Sequence, residues 1–330
     1  MTFRSSRRVL VAGLLSLTWL LFPGGGVAAG YDRVVVFGDS LTDPGNAFVL
    51  VGAVAAPPFQ LVPDRPYARG GLHFSNGATW VEQLAEALGL GRTAGPAWRK
   101  PGVFSNYAVG GARARTVEPP EPLPSESPDL TDQVGRFLFD VKNAAPPQAL
   151  YVVHIGGNDV RDALAALAHD PSFARSIAIV SGAIDAIKAE ITALADAGAH
   201  TFLVPNAPDL ALVPAVRLLG PAAQAAAEFL TTTFNDFLED ALSRLEARVR
   251  IFRLNVAEFI TDVVNRHDDF GLSKADSPCL IFVPVAGELT NVPPFFCAQP
   301  DQFLFWDGIH PTQAGHAILA REALDMVTAP

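Results

Sequence analysis

The sequence predicts an α/β domain in which a five-stranded parallel sheet carries helices on both faces. Three observations point there. Five short apolar runs, at residues 34–37, 103–109, 149–155, 201–205 and 249–254, are separated by helical patterns, and that alternation is the mark of βαβ units. The first run is apolar throughout and the third is apolar but for His154, as strands covered on both faces are. Three runs end in glycine-bearing polar turns, after Phe37, Val109 and Ile155. A parallel sheet gathers such ends along one edge, where open α/β sheets bind ligands.

In chain order, Gly38-Asp39-Ser40-Leu41-Thr42-Asp43 turns the chain out of the first strand, and Pro44-Gly45-Asn46 opens an apolar stretch to Ala56. Residues 57–76 read as a loop with Phe59, Tyr67, His73 and Phe74, of a length that often shapes a pocket. Trp80, Leu84 and Leu88 recur at helical spacing over 78–88. The second run enters Gly110-Gly111, and Pro, Glu and Ser make 118–128 an exposed loop. An amphipathic helix spans 134–141. The third run reaches Gly156-Gly157-Asn158-Asp159 and is followed by helices at 160–168 and 173–197. Beyond the fourth run lie a long helix at 222–248, the fifth run and a short helix at 256–264. Residues 268–300 are irregular. The run 303–306 leads into Asp307-Gly308-Ile309-His310-Pro311-Thr312, and a helix at 313–327 closes the chain with Thr312 as its N-cap. No repeat and no linker divides residues 30–330, which are expected to form one domain.

The chain has 330 residues, 49% hydrophobic and 18% charged, enough for a substantial core. Its net charge of -10 argues against a nucleic-acid partner, which favours basic patches. Residues 1–29 read as a signal peptide: Arg4, Arg7 and Arg8, then an apolar stretch at 9–22, then Val27-Ala28-Ala29 before the cleavage point. That stretch is shorter than the roughly 20 residues of a membrane span. Ser6-Arg7-Arg8-Val9-Leu10 also resembles a twin-arginine signal, which leaves the export route open. Without the leader, 21 basic residues face 34 acidic ones, a net charge of -13. The expected location is secreted or periplasmic. Cys279 and Cys297, an even pair in an exported chain, are expected to form a disulfide.

Ser40 stands at the carboxyl end of the first strand, and a serine hydroxyl is a weak nucleophile without a neighbouring base. Asp307 three residues before His310, in a tight turn, can place its carboxylate on one imidazole nitrogen and leave the other to accept the serine proton. Acyl transfer also needs donors for a developing oxyanion. The Ser40 amide, a backbone N–H of the Gly110-Gly111 turn and the Asn158 side chain are candidates. Asp43 and Asn46 are expected to brace the Ser40 turn, and His154 to pack behind it. His267-Asp268-Asp269 reads as a solvated acidic face rather than a metal site, and neither a phosphate-binding loop nor a dinucleotide fingerprint is present.

Gly38-Asp39-Ser40-Leu41, Asn106-Tyr107-Ala108-Val109-Gly110-Gly111, Gly156-Gly157-Asn158-Asp159 and Asp307-Gly308-Ile309-His310 together resemble the four motif blocks of the GDSL (SGNH-hydrolase) esterase/lipase family, in that family's order. Gly45-Asn46 and Phe74-Ser75-Asn76-Gly77 are similar to its bacterial and plant lipase subgroup. The resemblance implies a flavodoxin-like three-layer α/β/α sandwich, no metal or cofactor, and ester hydrolysis through an acyl-serine. It implies Ser40 as nucleophile, His310 as base, Asp307 as orienting acid, and Ser40, Gly111 and Asn158 as oxyanion donors, with Gly110 able to replace Gly111 by a one-residue shift. The expected substrate is a small-molecule or lipid ester, fatty-acyl or choline-type rather than a sugar acetate, met by a monomer in transient contact with lipid surfaces. Phe59, Tyr67, Phe74, Phe295, Phe296 and residues 303–306 line an acyl pocket or fill core. Two other readings stand beside hydrolysis: acyl transfer to an alcohol acceptor, and a non-catalytic binding protein on the same fold.

Overall fold

Along β1 (Arg33–Gly38) successive side chains enter two different cores. Val35 and Phe37 join one, Val34 and Val36 the other, which is the period of two that a strand imposes. This computed structural model describes residues 30–51, 67, 70–117, 127–281 and 295–329. The expected leader at 1–29, most of the loop at 118–128, and Phe59 lie outside the described residues.

β1 pairs in parallel with β2 (Ala149–His154), β2 with β3 (Thr201–Pro205), and β3 with β4 (Arg250–Leu254). The register aligns Gly38 with His154, so both motif-bearing turns leave the same edge. One face of the sheet is covered by α3 (Leu130–Asp140), α4 (Gly157–Ala166), α5 (Ala174–Asp196) and α7 (Pro221–Ser243). The other is covered by α2 (Trp80–Ala87) and α9 (Gln313–Thr328), with α8 (Val256–Asn265) at its margin. Both faces are buried, so the inner strands must be apolar on both sides.

The sheet has four regular strands, not five. The run at 103–109 does lie beside β1: Val36 donates to the Ser105 carbonyl (2.9 Å), Tyr107 to Val36 (2.7 Å) and Val109 to Gly38 (3.1 Å). It forms isolated bridges instead of a strand because side chains take its outer hydrogen bonds. The Asn46 amide donates to the carbonyls of Asn106 and Ala108, and Asn106 Oδ1 accepts the Ala108 N–H. Counting this segment second gives the order 2-1-3-4-5 of flavodoxin-like sheets.

The 268–300 region, expected to be irregular, contains order. β5 (Lys274–Pro278) pairs in parallel with β8 (Phe303–Phe305), and β6 (Leu280–Ile281) pairs antiparallel with β7 (Phe295–Phe296). Cys279 and Cys297 are bonded across the base of β6 and β7, with Cα atoms 4.9 Å apart. Two short helices complete the frame, α1 (Asn46–Val51) after the Ser40 turn and α6 (Pro214–Arg217) before α7.

Candidate active site

Ser40 and His310 are 270 residues apart in sequence and meet above the end of β1. The Ser40 hydroxyl lies 2.8 Å from His310 Nε2, and His310 Nδ1 lies 2.7 Å from Asp307 Oδ2. With a carboxylate facing it, Nδ1 carries the imidazole proton, so Nε2 is free to accept one from the hydroxyl. Asp307 Oδ1 accepts the backbone N–H groups of Ile309 (2.8 Å) and His310 (2.7 Å). Burial acts to raise the Asp307 pKa, but His310 and these hydrogen bonds outweigh it and hold the group below its ordinary value.

The loop that carries the pair is fixed at both ends. Trp306 donates to the His310 carbonyl (2.7 Å), Thr312 to Leu304 (2.8 Å) and Ala215 of α6 to Gly308 (2.8 Å). Thr312 caps α9 through the Gly315 N–H. Ser75 donates to the Pro311 carbonyl and the Asn76 side chain accepts from Gln313, so the Phe74-Ser75-Asn76-Gly77 stretch clips the histidine loop in place.

On the serine side, Asp43 is fully buried and its carboxylate accepts four backbone N–H groups: Gly45 (2.7 Å), Asn46 (2.5 Å), Ala47 (3.0 Å) and Gly110 (2.8 Å). One side chain thus ties the Ser40 turn to the glycine turn. The Gly110 N–H is consumed by Asp43, whereas that of Gly111 has no hydrogen-bond partner among the described residues. Gly111 adopts φ 82°, a left-handed conformation that favours glycine. Gly110 is needed for another reason, since a Cβ there would stand 2.1 Å from the Phe74 ring. Asn158 sits in the first turn of α4 and donates one amide hydrogen to the Ala112 carbonyl at 2.8 Å, leaving the second. Ser40, Gly111, Asn158, His310 and Asp307 are therefore brought to one sheet edge.

Other sequence expectations also find their places. His154 is buried behind the site, where Trp80 Nε1 donates to its Nδ1 (3.2 Å), and burial lowers its pKa to about 3. His267 faces the Leu272 carbonyl and Asp268 at the surface. Three positions escaped the sequence. Tyr67, expected only as a pocket or core aromatic, donates its hydroxyl to Asp307 Oδ2 at 2.6 Å. Gln133 pairs with the Gly38 peptide through both its oxygen and its nitrogen, at 2.9 Å each. Its signal was visible: a glutamine stands inside the buried stripe of Leu130, Val134 and Phe137. Arg113 grips the Gly111 carbonyl (2.8 Å) and Asp162 (2.9 and 3.0 Å), fixing the peptide that presents the glycine turn.

Two of these contacts give measurable expectations. Tyr67→Phe removes a hydrogen bond to a charged group, a contact worth about 1.5 kcal/mol or more of stability, so the melting temperature is expected to fall modestly and kcat on an aryl ester to fall about tenfold as Asp307 loses a support. An unchanged kcat would show that Tyr67 does not support Asp307. Asp159 is buried against the Ala114 amide and Arg115. Burial first, opposed by those partners, raises its pKa to about 7. An unfolded aspartate titrates near 4 (about 3.9), so its contribution to folding is fully present below about pH 4 and is lost as pH rises through 7. Between pH 5 and 8 the melting temperature is expected to fall, and to fall less in Asp159→Asn. Parallel melting profiles for the two proteins would refute this.

A family model described as GDSL-like Lipase/Acylhydrolase matches residues 34–323. Among curated proteins, the chain is 25% identical to GDSL esterase/lipase At5g42170 of Arabidopsis thaliana, covering 88% of this chain and 84% of that one. It is 26% identical to the thermolabile hemolysin of Vibrio parahaemolyticus, covering 89% and 63%, and 26% identical to an Arabidopsis protein named inactive GDSL esterase/lipase-like protein 25, covering 84% and 67%. Among solved structures, a catalytic mutant of an acetylxylan esterase from Geobacillus stearothermophilus is 14% identical, covers 91% of this chain and 95% of its own, and aligns with a TM-score of 0.45.

Proposed function

Since the chain belongs to the GDSL-like lipase/acylhydrolase family and is a carboxylic ester hydrolase, we propose that it acts through Ser40, His310 and Asp307 as a triad, with the Ser40 and Gly111 amides and the Asn158 side chain as the oxyanion hole. The observation that carries this reading is the continuous chain of contacts from the Ser40 hydroxyl to His310 to Asp307. Ser40 Oγ attacks the ester carbonyl carbon as its proton passes to His310 Nε2. The tetrahedral oxyanion is met by the three donors, which cost no reorganisation because the fold already holds them. Collapse expels the alcohol, which takes the proton from His310. Water then attacks the acyl-Ser40 ester, with His310 as base, and releases the acid. Asp307 keeps the imidazole in the tautomer this sequence needs and stabilises the imidazolium.

The oxyanion assignment favours Gly111 over Gly110 because the Gly110 N–H already serves Asp43. Residues 30–330 are assigned to this one domain. We place the enzyme outside the cytoplasm, on the leader-like residues 1–29 and on the bonded pair Cys279 and Cys297. A fluorophosphonate probe tests the reading directly. Covalent labelling that is abolished by Ser40→Ala supports it, and a folded protein that is never labelled is a binding protein. Product analysis with a glycerol or sterol acceptor present separates hydrolysis from acyl transfer.

A further inference from the structure

Arg161 lies three residues beyond Asn158 on α4, one turn along the same face. Long helical side chains lean back toward the N-terminus of their helix, and Gly157, four residues earlier, places no side chain in the way. A Cβ at Gly157 would stand 3.7 Å from Asp39 Oδ2, so the carboxyl preceding Ser40 borders the space into which Arg161 leans. The electrostatics agree. Asp39 and Arg161 act on each other, and Arg161 also feels Arg113, the residue that grips the Gly111 carbonyl. Arg161 thus sits one helical turn beyond Asn158, on the same side of α4, and is near enough to the carboxyl preceding Ser40 to act on it.

Arg161 makes no hydrogen bond or ion pair among the described residues, although it is only partly exposed. A partly buried cation without a partner is costly, and the surrounding acids are already engaged. Asp162 holds Arg113 and Arg115, Asp159 holds Arg115 and the Ala114 amide, and Asp39 accepts the Leu41 N–H. Burial first, and then Arg113, pull the Arg161 pKa below the ordinary arginine value, and outweigh the opposing effect of Asp162, Asp39 and Asp159. Arg253 shows the opposite behaviour: its bond to Glu246, with Glu239 beside it, raises its pKa.

We propose that Arg161 is an anion subsite of this ester site, receiving a phosphate or carboxylate carried by the substrate while the acyl carbon lies at Ser40. The assignment rests on the ester-hydrolase reading and narrows it to esters that bear a negative charge. A guanidinium suits such a group because its fork of donors matches two oxygens at once. The mature chain is acidic overall, so an anionic substrate needs a local cation to be held near the nucleophile.

The test compares 1-octanoylglycerol 3-phosphate with 1-octanoylglycerol, two esters that differ only by the phosphate, and measures kcat/KM for octanoate release. In the native enzyme the phosphate ester is expected to be favoured about tenfold, mainly through KM, as one charge-assisted contact allows. Arg161→Gln is expected to bring the ratio near one, Arg161→Lys to restore part of it, and Arg161→Glu to reverse it. Inorganic phosphate is expected to compete with the phosphate ester in the native enzyme and not in Arg161→Gln, which separates recognition of phosphate itself from recognition of a lipid headgroup. A native ratio of one or below, or an equal loss on both esters in Arg161→Gln, overturns the subsite. Absence of turnover on both esters together with absence of fluorophosphonate labelling would instead overturn the hydrolase reading, and this proposal with it.

Discussion

Ser40→Ala is expected to lower kcat on a 4-nitrophenyl acyl ester by on the order of 10⁶-fold, the scale seen when a triad nucleophile is deleted. That factor corresponds to about 8 kcal/mol of transition-state stabilisation. The loss should be that large because, among the described residues, Ser40 carries the one hydroxyl bonded to His310 Nε2. His310 Nε2 is committed to Ser40 at 2.8 Å, and Asp307 is already saturated by Ile309, His310 and Tyr67. Stability should hardly change, since the Ser40 side chain is partly exposed and fills no cavity. The measurement is kcat on purified, folded protein beside its melting temperature. Full activity in the folded variant would remove Ser40 from the mechanism.

The second large effect concerns stability. Asp43→Ala leaves four buried backbone N–H groups without an acceptor, and each orphaned donor costs about 1 kcal/mol or more. A destabilisation of at least about 4 kcal/mol is expected, read as a shift in the midpoint of urea unfolding at constant m-value. Activity should fall as well, because the Gly110 tether that sets the height of Gly111 is cut. Asp43→Asn keeps one acceptor oxygen and should give an intermediate loss, so the prediction stays measurable if the alanine variant does not fold. Equal stability of all three proteins would show that the amides find other partners.

The difference between these residues explains what could be read in the sequence. Ser40, Asn158, Asp307 and His310 were legible because each sits in a short polar turn after an apolar run, and a parallel sheet brings such turns together. The bracing by Asp43 was legible in kind, since an aspartate beside Gly45 and Asn46 is a turn former. Its fourth contact, with Gly110, was not, because that bond spans 67 residues. The same contact decides which glycine has a free N–H, and so the sequence left Gly110 and Gly111 open. Tyr67 was hidden for a similar reason: its target is 240 residues away, and nothing in the spacing of a loop marks a side chain for a distant carboxylate. The second run, at 103–109, was correctly expected to lie in the sheet and wrongly expected to be a regular strand. Its propensity and apolar content are those of a strand, but the Asn46 side chain claims its carbonyls, and a side chain reaching from another turn leaves no periodic trace.

The Cys279–Cys297 bond has a consequence for how the molecule can change. It closes the base of the excursion between β6 and β7, beside Trp306 and therefore beside the start of the Asp307 loop. The Leu280 N–H donates to the Trp306 carbonyl (2.6 Å) and the Cys279 N–H to that of Phe305 (3.0 Å). Phe296, on the other strand of the hairpin, also packs its ring against Trp306, so the bridged strands form the floor on which the residue before Asp307 rests. The bridge is thus an anchor for the catalytic loop: opening it would loosen the ground under Asp307 without touching a group that moves a proton.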